Sequence, residues 1–295
     1  MAKVMPKRQL ENIGLGITGA CVLLVAVVVL ALIVMVAQQG LTTFFVDGFD
    51  PIAFLIGQHW IPEQDMYGAL PMIVGSFSVT LLSTLIALPI ALGSAMFVVE
   101  VAPGFGTRVF QPLVELLVGI PSVVYGVLGL YVVNSFMRLV FGAAAGTGAG
   151  ILSGSIVLAV MILPTVINIS ETSIRAVPAG IKSSSLALGA SHVQTIFRSI
   201  LPAAKSGIVT AIVLGVGRAI GEAMAITLVS GSSVNVPLPF NSVRFLTTAI
   251  VSEMGYSSGL HRQVLFTIGL VLFVFIMIIN VVLNKILKKG ADDNE

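Results

Sequence analysis

The sequence predicts an all-α membrane protein with about six transmembrane helices, and three observations predict it. Hydrophobic residues make up 57% of the 295-residue chain and charged residues only 9%. A soluble domain carries roughly 25% charged residues, so these charges are too few to clothe a soluble fold of this size. Six apolar segments are long enough to cross a bilayer, which takes roughly 20 residues. The lysines and arginines also crowd into alternate connections between those segments, as they do in multi-pass proteins.

The spans are expected near 13–37, 69–99, 113–136, 150–170, 206–230 and 263–285. Lys3, Lys7 and Arg8 precede the first, as in a secretory signal. Its apolar stretch is too long for that, and no A-x-A cleavage site follows, so it reads as a retained anchor. The connection 38–68 contains "FFVDGFDPIAFLIGQHWIPEQDMYG"; its aromatic residues, Trp60 among them, suggest an interfacial or partly helical segment. The second span is long enough to tilt or break. The third contains "GIPSVVYG", residues 119–126, where Pro121 interrupts the hydrogen-bond ladder and frees backbone carbonyls. Ser122 and Tyr125 then either line a polar path or belong to a packed kink. A second sizeable connection, 231–262, contains "NVPLPFNSVRFL".

With the N-terminus inside, eleven of the 15 lysines and arginines fall on inside segments. Arg138, Arg244 and Arg262 fall outside, and Arg218 lies within a span. That asymmetry predicts both termini in the cytoplasm. Three regions are expected: 1–67 with the N-terminal stub, first helix and outside loop, 68–288 as the transmembrane domain, and 289–295 as a cytoplasmic tail.

Residues for covalent chemistry are missing. His59, His192 and His261 are far apart, and there is no H-E-x-x-H, G-x-S-x-G or phosphate-cradling P-loop. A lone Cys21 excludes an internal disulfide and a thiolate metal cluster. No enzyme activity, cofactor, metal or nucleic-acid partner is expected. "GVGRAIG" has three residues between Gly217 and Gly221, where a dinucleotide fingerprint needs two. Gly217 and Gly221, with Gly215, fit a small-residue face for close helix packing instead.

The same stretch poses the sharpest question. In "GIVTAIVLGVGRAIGEAMAITLVSG", residues 207–231, Arg218 and Glu222 are the only charges. Their four-residue spacing puts them on one helix face, with the small residues Ala211, Gly215 and Ala225 leaving room beside the charges. A charge at mid-bilayer costs at least about 2.5–3.5 kcal/mol, so such residues face a bundle interior or a watery path. A guanidinium suits an oxyanion. The pair reads either as part of an anion path, with Glu222 also able to accept a proton from the anion, or as a structural ion pair between helices.

The inside connection 171–205 reads "ETSIRAVPAGIKSSSLALGASHVQTIFRSILPAAK". Between Pro178 and Pro202, Leu186, Ala190, Val193, Ile196, Phe197 and Ile200 recur at three- and four-residue steps. This predicts an amphipathic helix, or a helix pair bent at Gly189. It either lies on the membrane surface or docks into a groove on a cytoplasmic partner.

Here the sequence resembles the permeases of ABC importers, whose cytoplasmic loop carries E-A-A, three residues, G, nine residues, and I-x-L-P. Gly189, followed by Ala190, and Leu201–Pro202 match at the right spacing. Ser183, Ser184 and Ser185 stand at the E-A-A positions and Ser199 at the isoleucine position, so the loop's glutamate is absent. "YGALPMIVGSFSVTLLSTLIALPIALGSAMFVVEVAP", "ELLVGIPSVVYGVLGL" and "LGVGRAIGEAMAIT" resemble the PstC-type permeases of phosphate importers. That resemblance implies a type I ABC importer permease fold and a coupling segment over 178–202. It also implies four kinds of partner: a homologous PstA-like permease, a cytoplasmic ATPase dimer, an extracytoplasmic phosphate-binding protein and membrane lipid. Arg218 and Glu222 match the arginine and glutamate that PstC-type permeases need for transport. The alternatives are a permease for sulfate or molybdate, a stand-alone secondary transporter using Glu222 as a proton site, and a non-transporting scaffold. The last two leave the docking connection or the mid-span charges unexplained.

Overall fold

A computed structural model describes residues 7–292, with side chains from Asn12 to Lys285. Lys3 and residues 293–295 lie outside it. Among the described residues, five helices are long and apolar enough to cross a membrane, or six if a helix pair bent by 71° is one span. The elements are α1 (Lys7–Phe45), α2 (Pro51–Ile56), a two-stranded antiparallel hairpin of β1 (Trp60–Ile61) and β2 (Met66–Tyr67), and α3 (Leu70–Val101). A helical link, 103–110, leads into α4 (Gln111–Gly119), followed by α5 (Ser122–Ala145) and α6 (Ile151–Arg175). Next come α7 (Ala179–Ala187), α8 (His192–Ala203) and α9 (Lys205–Gly221). The chain ends with α10 (Met224–Ser230), α11 (Leu246–Glu253) and α12 (Gly259–Asp292).

The centre is α6. Two-thirds of its most apolar window is buried, against none of that of α1. α3 runs along α6, and α9 packs on both; α5 and α10 pack on each other and on α6. On α3 the buried positions include Gly75, Ser76, Val79, Thr80, Ser83, Ala87, Ala91 and Ala95, a helical face made mostly of small side chains. α6 answers with Ser153, Gly154, Ser155 and Ala159. Small residues let two backbones approach closely, which drives helix association in lipid, where the hydrophobic effect between helices is absent. α1 joins through α12. A Cβ on Gly40 would stand 3.0 Å from the Leu270 Cβ, and the Thr267 hydroxyl lies 3.0 Å from the Gly40 carbonyl and 2.8 Å from the Thr43 hydroxyl.

Two expected spans are discontinuous. The third is divided at Ile120–Pro121 into α4 and α5. The fifth stops at Gly221 and resumes at Met224. At 1.5 Å per residue the 17-residue α9 is about 25 Å long, short of a hydrocarbon core of about 30 Å.

The ends of the bundle differ. Arg108, Arg175, Lys182, Arg198 and Lys205 gather where α3 and α6 end and α9 begins, the basic end. At the opposite end the hairpin and α11 meet the start of α12 around Glu253. Its carboxylate receives Arg244, Trp60 Nε1 at 3.1 Å and His261 Nε2 at 2.8 Å. Arg244 also donates from Nε to the Ser232 carbonyl at 2.8 Å. Burial pushes the neighbouring Tyr67 phenol above its ordinary pKa, with Asp65, Glu253 and Glu63 adding to the effect, so it packs as a neutral aromatic beside Trp60. The connection 38–68 is therefore a built cap. Glu253→Ala would strand a largely buried arginine and an indole N–H. It is expected to cost about 2 kcal/mol or more, read as earlier thermal unfolding of the detergent-purified chain. An unchanged transition would mean the cluster does not hold the cap.

Candidate functional site: two helix breaks and a basic-end connection

The two breaks meet. A Cβ on Gly126, in the first turns of α5, would stand 2.9 Å from the Ala225 Cα at the start of α10. Tyr125 and Ala225 share one buried cluster, against which Leu117 and Ile120 pack. Backbone broken at membrane depth needs partners for its freed groups. The Tyr125 hydroxyl donates to the Leu117 carbonyl at 2.8 Å, bridging the break at Pro121 from one side to the other. The second break is closed by Glu222. Its backbone is extended, with φ −74° and ψ 127°. Its Oε1 accepts from the Ala225 N–H at 3.0 Å, and its carbonyl accepts from the Thr247 hydroxyl at 3.1 Å.

This corrects the expectation that Arg218 and Glu222 share one face of a continuous helix. The helix ends one residue before Glu222, and the two side chains form no ion pair among the described residues. The reason is local: the carboxylate turns toward the free N–H groups opening α10, as a capping residue does, and away from the guanidinium. Arg218 instead donates from Nη1 to the Thr165 hydroxyl at 3.1 Å. It sits in the last turn of α9, where the negative end of the helix dipole favours a cation. Thr165 follows Pro164 within α6. Arg218 lies four residues before the break at Glu222, and Tyr125 shares a buried cluster with Ala225 just beyond it. Ser122 is half-buried at the start of α5.

The glycines divide. Gly215 is buried, and a Cβ there would lie 2.7 Å from Val166 Cγ2 on α6. A Cβ on Gly217 or Gly221 would meet nothing within 4 Å, so within this chain those two do not pack a neighbouring helix. Ala211 and Ala225 are buried against neighbouring helices of this chain and do not border an open space. Arg218 is exposed on the same side as Leu214, Gly221 and Met224.

At the basic end, the connection expected over 178–202 is a helix pair. α7 ends at Ala187 and the chain turns at Gly189, whose φ of +84° is left-handed. α8 opens with a capping box: Gln194 N–H donates to Ser191 Oγ at 3.3 Å, and Ser191 N–H to Gln194 Oε1 at 2.9 Å. The apolar stripe read as one face is split. Ile196 and Ile200 are buried in a cluster with Ala95, Ile174 and Ala204, whereas Leu186, Leu188, Val193 and Phe197 are exposed. The alternation follows from α8 lying across the ends of α3 and α6, which absorb one side of it. Of the E-A-A-position serines, Ser183 bonds its own helix at the Ala179 carbonyl, 3.1 Å away, and Ser184 is exposed. Ser185 lies 3.0 Å from the Thr195 hydroxyl, tying α7 to α8. Ala190 is half-buried, as is Leu201, and Pro202 is exposed.

Sequence reading missed Thr165, Glu100 and Glu253. Thr165 was hidden because a threonine inside an apolar span ordinarily satisfies its own helix. Glu100 sits at a span end and Glu253 in a connection, where carboxylates are commonly solvated.

Comparison with known proteins agrees with this architecture. Residues 87–291 match the family described as binding-protein-dependent transport system inner membrane component. This chain belongs to that family. Its members are transport components rather than enzymes, and the chain is a multi-pass membrane protein. A relative from Bacillus subtilis, called a probable ABC transporter permease protein YqgH, is 43% identical over 92% of this chain and 91% of its own length. The phosphate transport system permease protein PstC of Pasteurella multocida is 34% identical over 77% of each chain. A solved inward-facing methionine ABC transporter, MetNI, superposes with a TM-score of 0.61 at 19% identity, covering 78% of this chain and 99% of that one. It shares the type I ABC importer permease fold.

The geometry makes a prediction that separates shape from charge at Glu222. Glu222→Gln retains an oxygen that accepts the Ala225 N–H and is expected to leave stability near the parent's. Glu222→Ala removes the cap and is expected to cost about 1 kcal/mol, visible as a lower melting temperature in detergent. Equal melting of the two would show that the cap contributes nothing.

Proposed function

We propose that this chain is the PstC-type permease of an ATP-driven importer that moves inorganic phosphate into the cell, with ATP hydrolysed on a partner ATPase. The observation that carries the reading is the exposed Arg218. A guanidinium facing lipid is costly by at least about 2.5–3.5 kcal/mol, so its side of the molecule, with Gly217 and Gly221, meets a homologous PstA-like permease, and the anion passes between the two chains. Thr165 holds the guanidinium in place; phosphate oxygens take over its remaining donors in passing. Glu222 shapes the break beside the arginine, and Ser122 and Tyr125 border it. The relatives named for phosphate transport support phosphate over sulfate or molybdate. An extracytoplasmic phosphate-binding protein delivers the anion at the Glu253 end. The basic end, and with it both termini, faces the cytoplasm, as the positive-inside rule asks.

The ATPase docks on the exposed side of the 178–202 connection: Leu186, Leu188, Val193 and Phe197 offer the apolar anchors, and Gly189 fixes the angle between the two helices. Any other residue at that φ is strained by about 1–2 kcal/mol.

Two measurements test this. In cells expressing the whole importer, Arg218→Gln is expected to lower phosphate uptake at least about tenfold, as loss of a charge-assisted hydrogen bond of about 1.5–3 kcal/mol implies. Arg218→Lys is expected to recover little, because a point charge lacks the planar fork. Normal uptake by a well-assembled Arg218→Gln chain would remove the arginine from the path, and competition of uptake by sulfate or molybdate as strong as by phosphate would change the substrate. Separately, Leu188→Glu, at a side chain 89% exposed, leaves folding intact and is expected to reduce ATPase co-purification at least about tenfold, as for a binding hot spot. Undiminished co-purification of both Leu188→Glu and Phe197→Glu would mean the ATPase docks elsewhere.

A further inference from the structure

The E-A-A positions of this chain hold serines, yet a carboxylate does anchor the connection, and it comes from another helix. Glu100 lies in the last turn of α3, with its side chain 7% exposed. Its Oε2 is 2.5 Å from Lys182 Nζ on α7. Its backbone carbonyl is 3.4 Å from His192 Nε2 on α8, and its carboxylate is 3.9 Å from that ring nitrogen. One residue of α3 therefore grips both helices of the connection.

The surroundings say what such a grip does. Beneath it, the contact between the connection and the bundle is apolar: Ile196 and Ile200 rest on Ala95 and Ile174. Apolar contact is non-directional and tolerates sliding. A charge-assisted bond donated by Lys182 to a nearly buried carboxylate fixes distance and direction. α3 packs along the length of α6, and α6 carries Thr165, which holds Arg218. A displacement of α7 and α8 that pulls on Glu100 moves the helix pair against which the arginine is held. If the grip is loosened, the connection slides on its apolar bed while α3 and α6 stay behind.

We propose that Glu100 is a positioning residue for energy coupling: through Lys182 it makes the 178–202 connection and α3 move as one body, supplying from α3 the carboxylate absent at the E-A-A positions. This rests on the reading that the connection docks the ATPase. The alternative, a passive staple, would affect stability but not the yield of transport.

The test uses the complete importer in proteoliposomes, with phosphate-binding protein inside the assay, and reads phosphate transported per ATP hydrolysed. Lys182 is 39% exposed, so Lys182→Gln is expected to fold and to keep the ATPase bound. It and Glu100→Gln are both expected to lower the transport yield per ATP by roughly fivefold or more, the lower bound of ordinary coupling between sites, while ATP hydrolysis continues. The exchange Glu100→Lys with Lys182→Glu restores the bond in reverse and is expected to recover yield over either single variant. Normal yield in Lys182→Gln overturns the proposal by itself, even if Glu100→Gln fails to assemble. An assembled exchange variant no better than the singles also overturns it. A parent chain that does not retain the ATPase at all sinks the docking reading and this proposal together.

Discussion

The close approach of α3 and α6 is the constraint on which the other elements depend. Alanine, serine and glycine at the buried positions of both helices bring the backbones together, and α9, α10 and α5 then pack on the composite surface. Dispersion between well-fitted side chains has to supply the association, because lipid competes equally for any apolar surface. The same demand explains why Gly215 is buried against Val166 while Gly217 and Gly221 are not. Only the first points at α6.

The breaks in the third and fifth spans are the polar consequence of that packing. A continuous helix would satisfy its own backbone but would present only side chains to the interior. Breaking two helices at adjacent positions exposes backbone, and each exposed group then requires a partner. Tyr125 serves one break and Glu222 the other, and the Thr247 hydroxyl supports the second from α11. Arg218 is left with one neutral partner, Thr165, and an open side. Under the proposed function that open side suits exchange with a passing anion, whereas an ion pair with Glu222 would have to be broken first.

The two ends of the bundle use the same device for different loads. At one end Glu253 gathers Arg244, His261 and Trp60 and makes a rigid cap of segments far apart in the chain. At the other, Glu100 gathers Lys182 and His192, and the elements it joins are short, exposed on one side and separated by a left-handed glycine. A carboxylate at a span end is cheap in water. Enclosed by hydrogen-bonding partners from other elements, it becomes a directional joint.

Composition and span length were enough to determine an all-α membrane protein of five or six spans, and apolar periodicity narrowed the inside connection to one amphipathic helix or a helix pair bent at Gly189. These properties depend on the solvent and on local backbone preference, both written residue by residue. Which residues share a site was different. The four-residue spacing of Arg218 and Glu222 implied a common face only for an unbroken helix, and a carboxylate that caps the next helix overrode it. The stripe from Leu186 to Ile200 looked like one face because periodicity cannot say which neighbours a helix has; the ends of α3 and α6 took Ile196 and Ile200 and left Val193 and Phe197 outside. Thr165 and Glu100 gained their partners from segments 53 and 82 residues away. The tertiary structure alone decided those contacts, because a hydrogen bond depends on distance in space, which chain order does not encode.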